Sequence, residues 1–256
     1  MNSNWLDSYY EALEFFYWEP QHIGRKKNIA GEFNTLEKVT KHLRKIEVTL
    51  NHNINQFLLI APKSLHRQLF SAFFSIDFQL PFQMHGRGID ANFELVGAMQ
   101  PDFLFISNDE VLSIEMKVAA KSSLEQVLKY VLLGLAVELK EGTQKMHHLG
   151  FLGAGRFQDQ WKEKYKDLDS LKTALQSFEI DAFLNKQPLK FRPFASRLRA
   201  ILADMKFGFV NYESIAAILR VELGNLTEQS PASEAYSNLI NGVLSELRTR
   251  DLASDA

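Results

Sequence analysis

The 256-residue chain contains no cysteine. That excludes disulfides and thiolate metal sites. No apolar run approaches the roughly 20 residues that a helix needs to cross a bilayer. The first residues, Met1-Asn2-Ser3-Asn4-Trp5-Leu6-Asp7, lack the basic segment and apolar core of a secretory signal. A soluble, cytoplasmic protein with no membrane partner is the expectation. Neither sign of charge dominates, with 29 Lys+Arg against 31 Asp+Glu and a formal net charge of −2. This balance argues against a surface coated for phosphate binding, while leaving room for a local basic cleft. Basic residues gather at Arg25-Lys26-Lys27, at Lys38, Lys41, Arg44 and Lys45, and at Arg192, Arg197 and Arg199. Solvated faces are the ordinary reading of such clusters. There is no P-loop, no G-x-S-x-G elbow and no His-Glu-x-x-His among the seven histidines. His147 and His148 are adjacent, so a strand would point them to opposite faces, where they cannot share one ion. Gly153-Ala154-Gly155 lacks the spacing of a dinucleotide fingerprint and reads as a turn. Internal repeats and low-complexity segments are also missing.

What is present is a chain 46% hydrophobic, long enough for one large domain or a domain with a smaller appendage. Its most informative stretch is a hairpin. Pro101-Asp102-Phe103-Leu104-Phe105-Ile106 and Val111-Leu112-Ser113-Ile114-Glu115-Met116-Lys117 flank the polar turn Ser107-Asn108-Asp109-Glu110. A two-residue and a four-residue loop centred on Asn108 and Asp109 give the same register, with Asp102 opposite Glu115. Opposed residues share a face, with Cβ atoms about 5 Å apart. Two carboxylates there would repel by roughly 3 kcal/mol at an effective dielectric of about 20. A divalent cation is the natural offset. Lys117, two residues beyond Glu115, falls on the same face. An exposed strand with a same-side ion pair is the plainer alternative for Glu115 and Lys117.

Around the hairpin, residues 3–18 read as an aromatic-rich helix ended by Pro20, and residues 31–47 as a second helix. The second carries the apolar stripe Leu36, Val39, Leu43 and Ile46. Extended back one turn, that stripe reaches Glu32, which either points toward what the helix covers or simply favours the helix N-terminus. Asn55–Ile60 reads as a short strand, 65–74 as a helix, 81–92 as a loop and 93–96 as a strand. A long helix is expected from about residue 123 to Lys140. Ser122-x-x-Glu125 and Ser123-x-x-Gln126 both qualify as its capping box, and Gly142 ends it. Residues 147–152 read as a strand. Beyond Phe157 the pattern predicts helices over 158–177, 194–205, 212–223 and 233–250.

Pro101-Asp102 followed by Glu115-Met116-Lys117 resembles the signature of the PD-(D/E)XK nuclease superfamily. The order of elements over roughly residues 31–153 resembles it too: helix, three strands, helix, strand. Gln126-x-x-x-Tyr130 on the following helix is similar to the Q-x-x-x-Y element of the branch holding exonuclease and helicase-associated nuclease domains. Four residues apart, the two share a helix face, although capping for Gln126 and packing for Tyr130 are alternatives. The resemblance implies an α/β fold: a restriction-endonuclease-like α-β-β-β-α-β core, with a mixed central sheet flanked by helices and a helical C-terminal region. The core with its N-terminal helical extension would occupy residues 1–156. A mostly helical subdomain packed on it would take 157–256.

The implied activity is divalent-metal-dependent hydrolysis of phosphodiester bonds in DNA, as in defence, restriction, repair or recombination enzymes. Asp102, Glu115 and the Met116 carbonyl would hold Mg²⁺, with Mn²⁺ a substitute. Glu32 would serve as an outer or second-metal ligand. Lys117 would orient or help deprotonate the attacking water. Gln126 and Tyr130 would brace the site or touch the nucleic-acid backbone. DNA is placed ahead of RNA as substrate. A homodimer fits enzymes that cut two strands. The competing expectations are a non-catalytic nucleic-acid-binding or protein-interaction module that keeps the fold, and an RNA-directed nuclease.

Overall fold

The computed structural model describes residues 47–78, 81–85, 95, 101–118, 121–227 and 230–254. In chain order its elements are α1 (Glu47–Ile60), α2 (Lys63–Phe74), β1 (Gln83–His85), β2 (Phe103–Ile106), β3 (Glu110–Lys117), α3 (Leu124–Glu141), β4 (Met146–Gly153), α4 (Phe157–Gln160), α5 (Leu168–Gln176), α6 (Ile180–Leu184), a 3-10 turn (Leu189–Phe194), α7 (Ala195–Asp204), β5 (Lys206–Asn211), α8 (Tyr212–Asn225) and α9 (Pro231–Thr249). The chain divides into two compact units. One is Pro62–Tyr212; the other joins Met1–Ala61 to Glu213–Ala256.

The Pro62–Tyr212 unit is α/β, built on a five-stranded mixed open sheet in the order β1-β2-β3-β4-β5. β1 and β2 are antiparallel, as are β2 and β3, while β4 and β5 run parallel to β3. The hairpin register pairs Ile106 with Val111 and Phe103 with Ile114. Parallel strands cannot be joined by a tight turn, and α3 supplies the crossover from β3 to β4. Ser123 caps α3, its hydroxyl accepting from the Gln126 N–H, and Gly142 closes it at φ +70°, a left-handed conformation open to glycine at little cost.

Strand alternation sorts the core into two layers. Leu104, Ile106, Val111, Leu149 and Phe151 face α3, packing with Val127, Leu128, Val131 and Leu135. The helical turns after β4 close over the same cluster through Trp161, Leu171, Phe183 and Leu198. The opposite face meets α2, where Phe70 stacks edge-on to Phe105. Gly150 and Gly208 are partners on β4 and β5, and a Cβ on either would run into Phe73 of α2. Bare backbone at this pair lets the helix press onto the sheet.

Several elements differ from the sequence expectations. The expected strand at Asn55–Ile60 is the last part of α1. Leu50, Ile54, Phe57 and Leu58 are buried while Leu59 and Ile60 are exposed, a helical spacing that overrides the β-like run. The expected loop 81–92 contains β1, an edge strand too short for a clear alternation. Of the expected strand 93–96 only Leu95 is described; it is fully buried. The expected helix 158–177 is interrupted: Lys162 and Glu163 adopt positive φ, and Asp167 starts a new helix by accepting from the Ser170 N–H at 2.8 Å. The interval 206–211, between two expected helices, is β5. It extends the sheet, and residues 157–212 fall in the same compact unit as the sheet. The expected helix over 3–18 lies outside the described residues, as does that over 31–47 apart from Glu47, which begins α1.

In the second unit α1 packs on α9. Arg250 joins them, bonding Glu246 at 2.5 Å and the Thr49 hydroxyl at 2.7 Å. Ser230 caps α9 with Pro231 in its first turn, the position where a missing N–H costs nothing.

Candidate active site

Every residue of β2 is buried, and β3 is buried from Val111 to Met116. Glu115 is therefore a carboxylate on a central strand, its side chain 5% exposed. Such a group survives only if its oxygens are met by donors. Three donors converge on it: Lys117 Nζ, Gln126 Nε2 and the Tyr130 hydroxyl. Lys117 comes from the same strand face, two residues on. Gln126 and Tyr130 come from the first turns of α3, four residues apart. Ser123 caps the helix by accepting the Gln126 backbone N–H, and the Gln126 side chain, left free of the cap, turns to Glu115. Tyr130 is not mere packing either, since its hydroxyl is spent on the carboxylate.

Asp102 sits one residue before β2. Continuing the ladder register sets it against Glu115. Its Oδ2 accepts from the Met116 N–H at 2.7 Å, so the side chain supplies the next bond of the ladder. Burial raises the Tyr130 phenol well above its ordinary range, and the negative charges of Glu115 and Asp102 raise it further. A backbone hydrogen bond from Asp102 works weakly against that shift. Tyr130 is thus a protonated donor at neutral pH that ties the Glu115 carboxylate to α3.

Asp102, Glu115, Lys117, Gln126 and Tyr130 are all brought together. The Met116 backbone is at the centre, with its side chain on the opposite face. Glu32 lies outside the described residues. Among the described residues no three His, Cys, Asp or Glu side chains form a metal-ligating group. Two hard carboxylates suit Mg²⁺ in kind, but Glu115 already holds three internal donors that a cation would have to displace or share.

Beyond the sheet partner of Lys117, which is Gly153, lies a residue that sequence reasoning did not single out. The Gln160 side chain rests on the Gly153 backbone. Ser122, read only as an alternative cap, donates its N–H to the Gln160 carbonyl at 2.9 Å. Lys121 Nζ donates to the Asp159 carbonyl at 2.6 Å. No motif announces these contacts, because they join segments 38 residues apart.

The remaining candidates have structural partners. His147 turns to Glu138 on α3 at 2.8 Å, while His148 turns to Glu110 at 3.2 Å between Phe74 and Phe78. The two therefore do point to opposite faces. Arg197 bonds Glu138, Arg199 bonds Asp181 and Arg192 bonds the Asn185 carbonyl. The third basic cluster is thus spent within the fold. A cavity of about 850 Å³ opens at the other end of β3, around the hairpin turn. Asp77, Asp109, Glu110 and Glu141 line it, against Lys63 and His85. That acidic mouth disfavours phosphate, and it is distinct from the Asp102 and Glu115 cluster.

Among the described residues no helix is long and apolar enough to cross a membrane. No protein-family model, curated protein or solved structure matches the chain.

Proposed function

We propose that the chain is a divalent-metal-dependent nuclease that hydrolyses DNA phosphodiester bonds at the Asp102, Glu115 and Lys117 cluster. The observation that carries this reading is the convergence of Asp102, Glu115 and Lys117 at one end of a buried hairpin, with Gln126 and Tyr130 anchored on Glu115. The strand order also supports a restriction-endonuclease-like core. In it the hairpin β2–β3 is followed by the crossover helix α3 and the parallel strand β4. Asp102 and Glu115 would hold Mg²⁺ or Mn²⁺, with the Met116 carbonyl and Glu32 as the further ligands the resemblance implies. When bound, the cation would polarise a phosphate and lower the pKa of a coordinated water. Lys117 would orient the attacking water and offset charge as it develops on phosphate oxygens. Tyr130, kept protonated by its surroundings, would fix Glu115 in place, and Gln126 would do the same from the adjacent turn.

A second reading rests on the same carboxylate. With three donors already on it, Glu115 is internally satisfied and needs no cation. A chain keeping this cluster for structure alone would be a non-catalytic binding module. The test is cleavage of circular single-stranded and double-stranded DNA with Mg²⁺ or Mn²⁺, beside EDTA and the variants Lys117→Ala and Asp102→Asn. Metal-dependent cutting by the wild type that both folded variants lose is expected. Absence of both cutting and metal binding in folded wild-type protein would favour the structural reading. Asp102-dependent metal binding without DNA cutting would turn the search to RNA.

A further inference from the structure

Three buried polar atoms near the Lys117 end of the sheet have no hydrogen-bond partner among the described residues: Gln160 Nε2, Gln160 Oε1 and Ser122 Oγ. Gln160 is 3% exposed. The two residues are neighbours, since the Ser122 N–H donates to the Gln160 carbonyl at 2.9 Å. The Gln160 amide nitrogen rests where a Cβ on Gly153 would stand. Gly153 is the lateral partner of Lys117 across β3 and β4. Paired residues on adjacent strands project to one face about 5 Å apart. The carboxamide therefore stands beside Lys117, on the face that carries Glu115. Burying an amide with neither group paired costs free energy that a methionine of similar volume would not. Folds keep such groups where a water or a ligand meets them.

We propose that Gln160 and Ser122 bind a non-bridging oxygen of a backbone phosphate held against Lys117. The inference rests on the phosphodiesterase reading above and adds a substrate-binding pair to it. Neutral donors suit the position. The Lys117 ammonium is already paired with Glu115, and a second cation beside it would meet like charge. An amide and a hydroxyl add bonds to the phosphate without that repulsion. Such contacts carry no base information and serve any sequence equally.

The test is steady-state cleavage of a DNA oligonucleotide in Mg²⁺ by the full chain, with urea unfolding alongside. Gln160→Met should leave stability unchanged or higher and raise KM by about tenfold, the usual scale for one lost binding contact. Ser122→Ala should raise KM by roughly threefold, with kcat nearly kept. A purely structural Gln160 would move the unfolding midpoint and leave KM alone. Wild-type KM in folded Gln160→Met and Ser122→Ala, beside an active wild type, overturns the assignment while the nuclease reading stands. If Gln160→Met does not fold, an unchanged KM in Ser122→Ala overturns it alone. A wild type that neither binds nor cuts DNA removes the nuclease reading, and this inference falls with it.

Discussion

Removing the Tyr130 hydroxyl takes one of three donors off Glu115 without opening a cavity, so Tyr130→Phe isolates the energetics of the cluster. A hydrogen bond to a buried charged group contributes about 1.5–3 kcal/mol. The expected loss of unfolding free energy in urea is in that range, with an unchanged dependence on denaturant. A loss below about 0.5 kcal/mol would mean that water takes the place of the hydroxyl at Glu115. The same variant should lower the cleavage rate, because a carboxylate held by two donors instead of three is less firmly oriented. At this scale most of the cluster was legible in advance. Alternation puts Glu115 and Lys117 on one face, and the turn fixes Asp102 opposite Glu115, relations set by near neighbours in sequence. Gln126 left capping open because Ser123 also fits the helix start, and only the packed helix shows its side chain turned to Glu115. Gln160 was illegible, since its place depends on where a distant turn closes over Gly153.

Elements pack here by leaving out side chains. Gly208 on β5 faces α2, and a Cβ there would meet the backbone carbonyl of Phe73, which cannot rotate away. At Gly150 a Cβ would meet the Phe73 ring, which can adjust at some cost. Gly208→Ala should therefore destabilise by about 2–3 kcal/mol and Gly150→Ala by less, the usual scale for overpacking. Thermal unfolding of the two variants checks the ranking; equal shifts would show that α2 moves freely over the sheet. The same contact explains why β5 was hard to read in the sequence. Lys206–Asn211 is short, its alternation is broken by the glycine that α2 requires, and it stands between two helical patterns. The end of α1 is obscured for the complementary reason: Phe57-Leu58-Leu59-Ile60 looks like a strand locally, and only the burial of Ile54 and Leu50, one and two turns earlier, reveals the helix. Capping signals fared better. Ser123 and Gly142 bound α3 through bonds made within a few residues, the range over which sequence speaks directly.

For the sheet unit as a whole, acid stability turns on two histidines held neutral by burial. His148 lies against Phe74 and Phe78 with no exposed side-chain surface, and burial lowers its pKa to about 4, with His147 and Lys206 pushing the same way. Glu110, its partner from β3, is pushed up by its own burial and by Asp109. The contact at 3.2 Å is therefore a hydrogen bond from a neutral imidazole and not an ion pair. Burial also lowers His147, although Glu138 opposes the shift. The unfolded chain takes up these protons near pH 6.5 and the folded chain only at lower pH, so stability falls as pH drops below 6.5. For His148 alone the loss between pH 7.5 and 5.5 is about 1 kcal/mol, and His147 adds to it. Glu138, lowered against its own burial by its hydrogen bonds to Arg197 and His147, titrates below this window, and the raised Glu110 works against the histidine slope. Urea unfolding at pH 7.5, 6.5 and 5.5 should thus show a declining free energy, and His148→Leu should flatten the slope whatever it does to the level. Stability that rises over the same interval would mean that His148 is protonated in the fold and paired with an ionised Glu110.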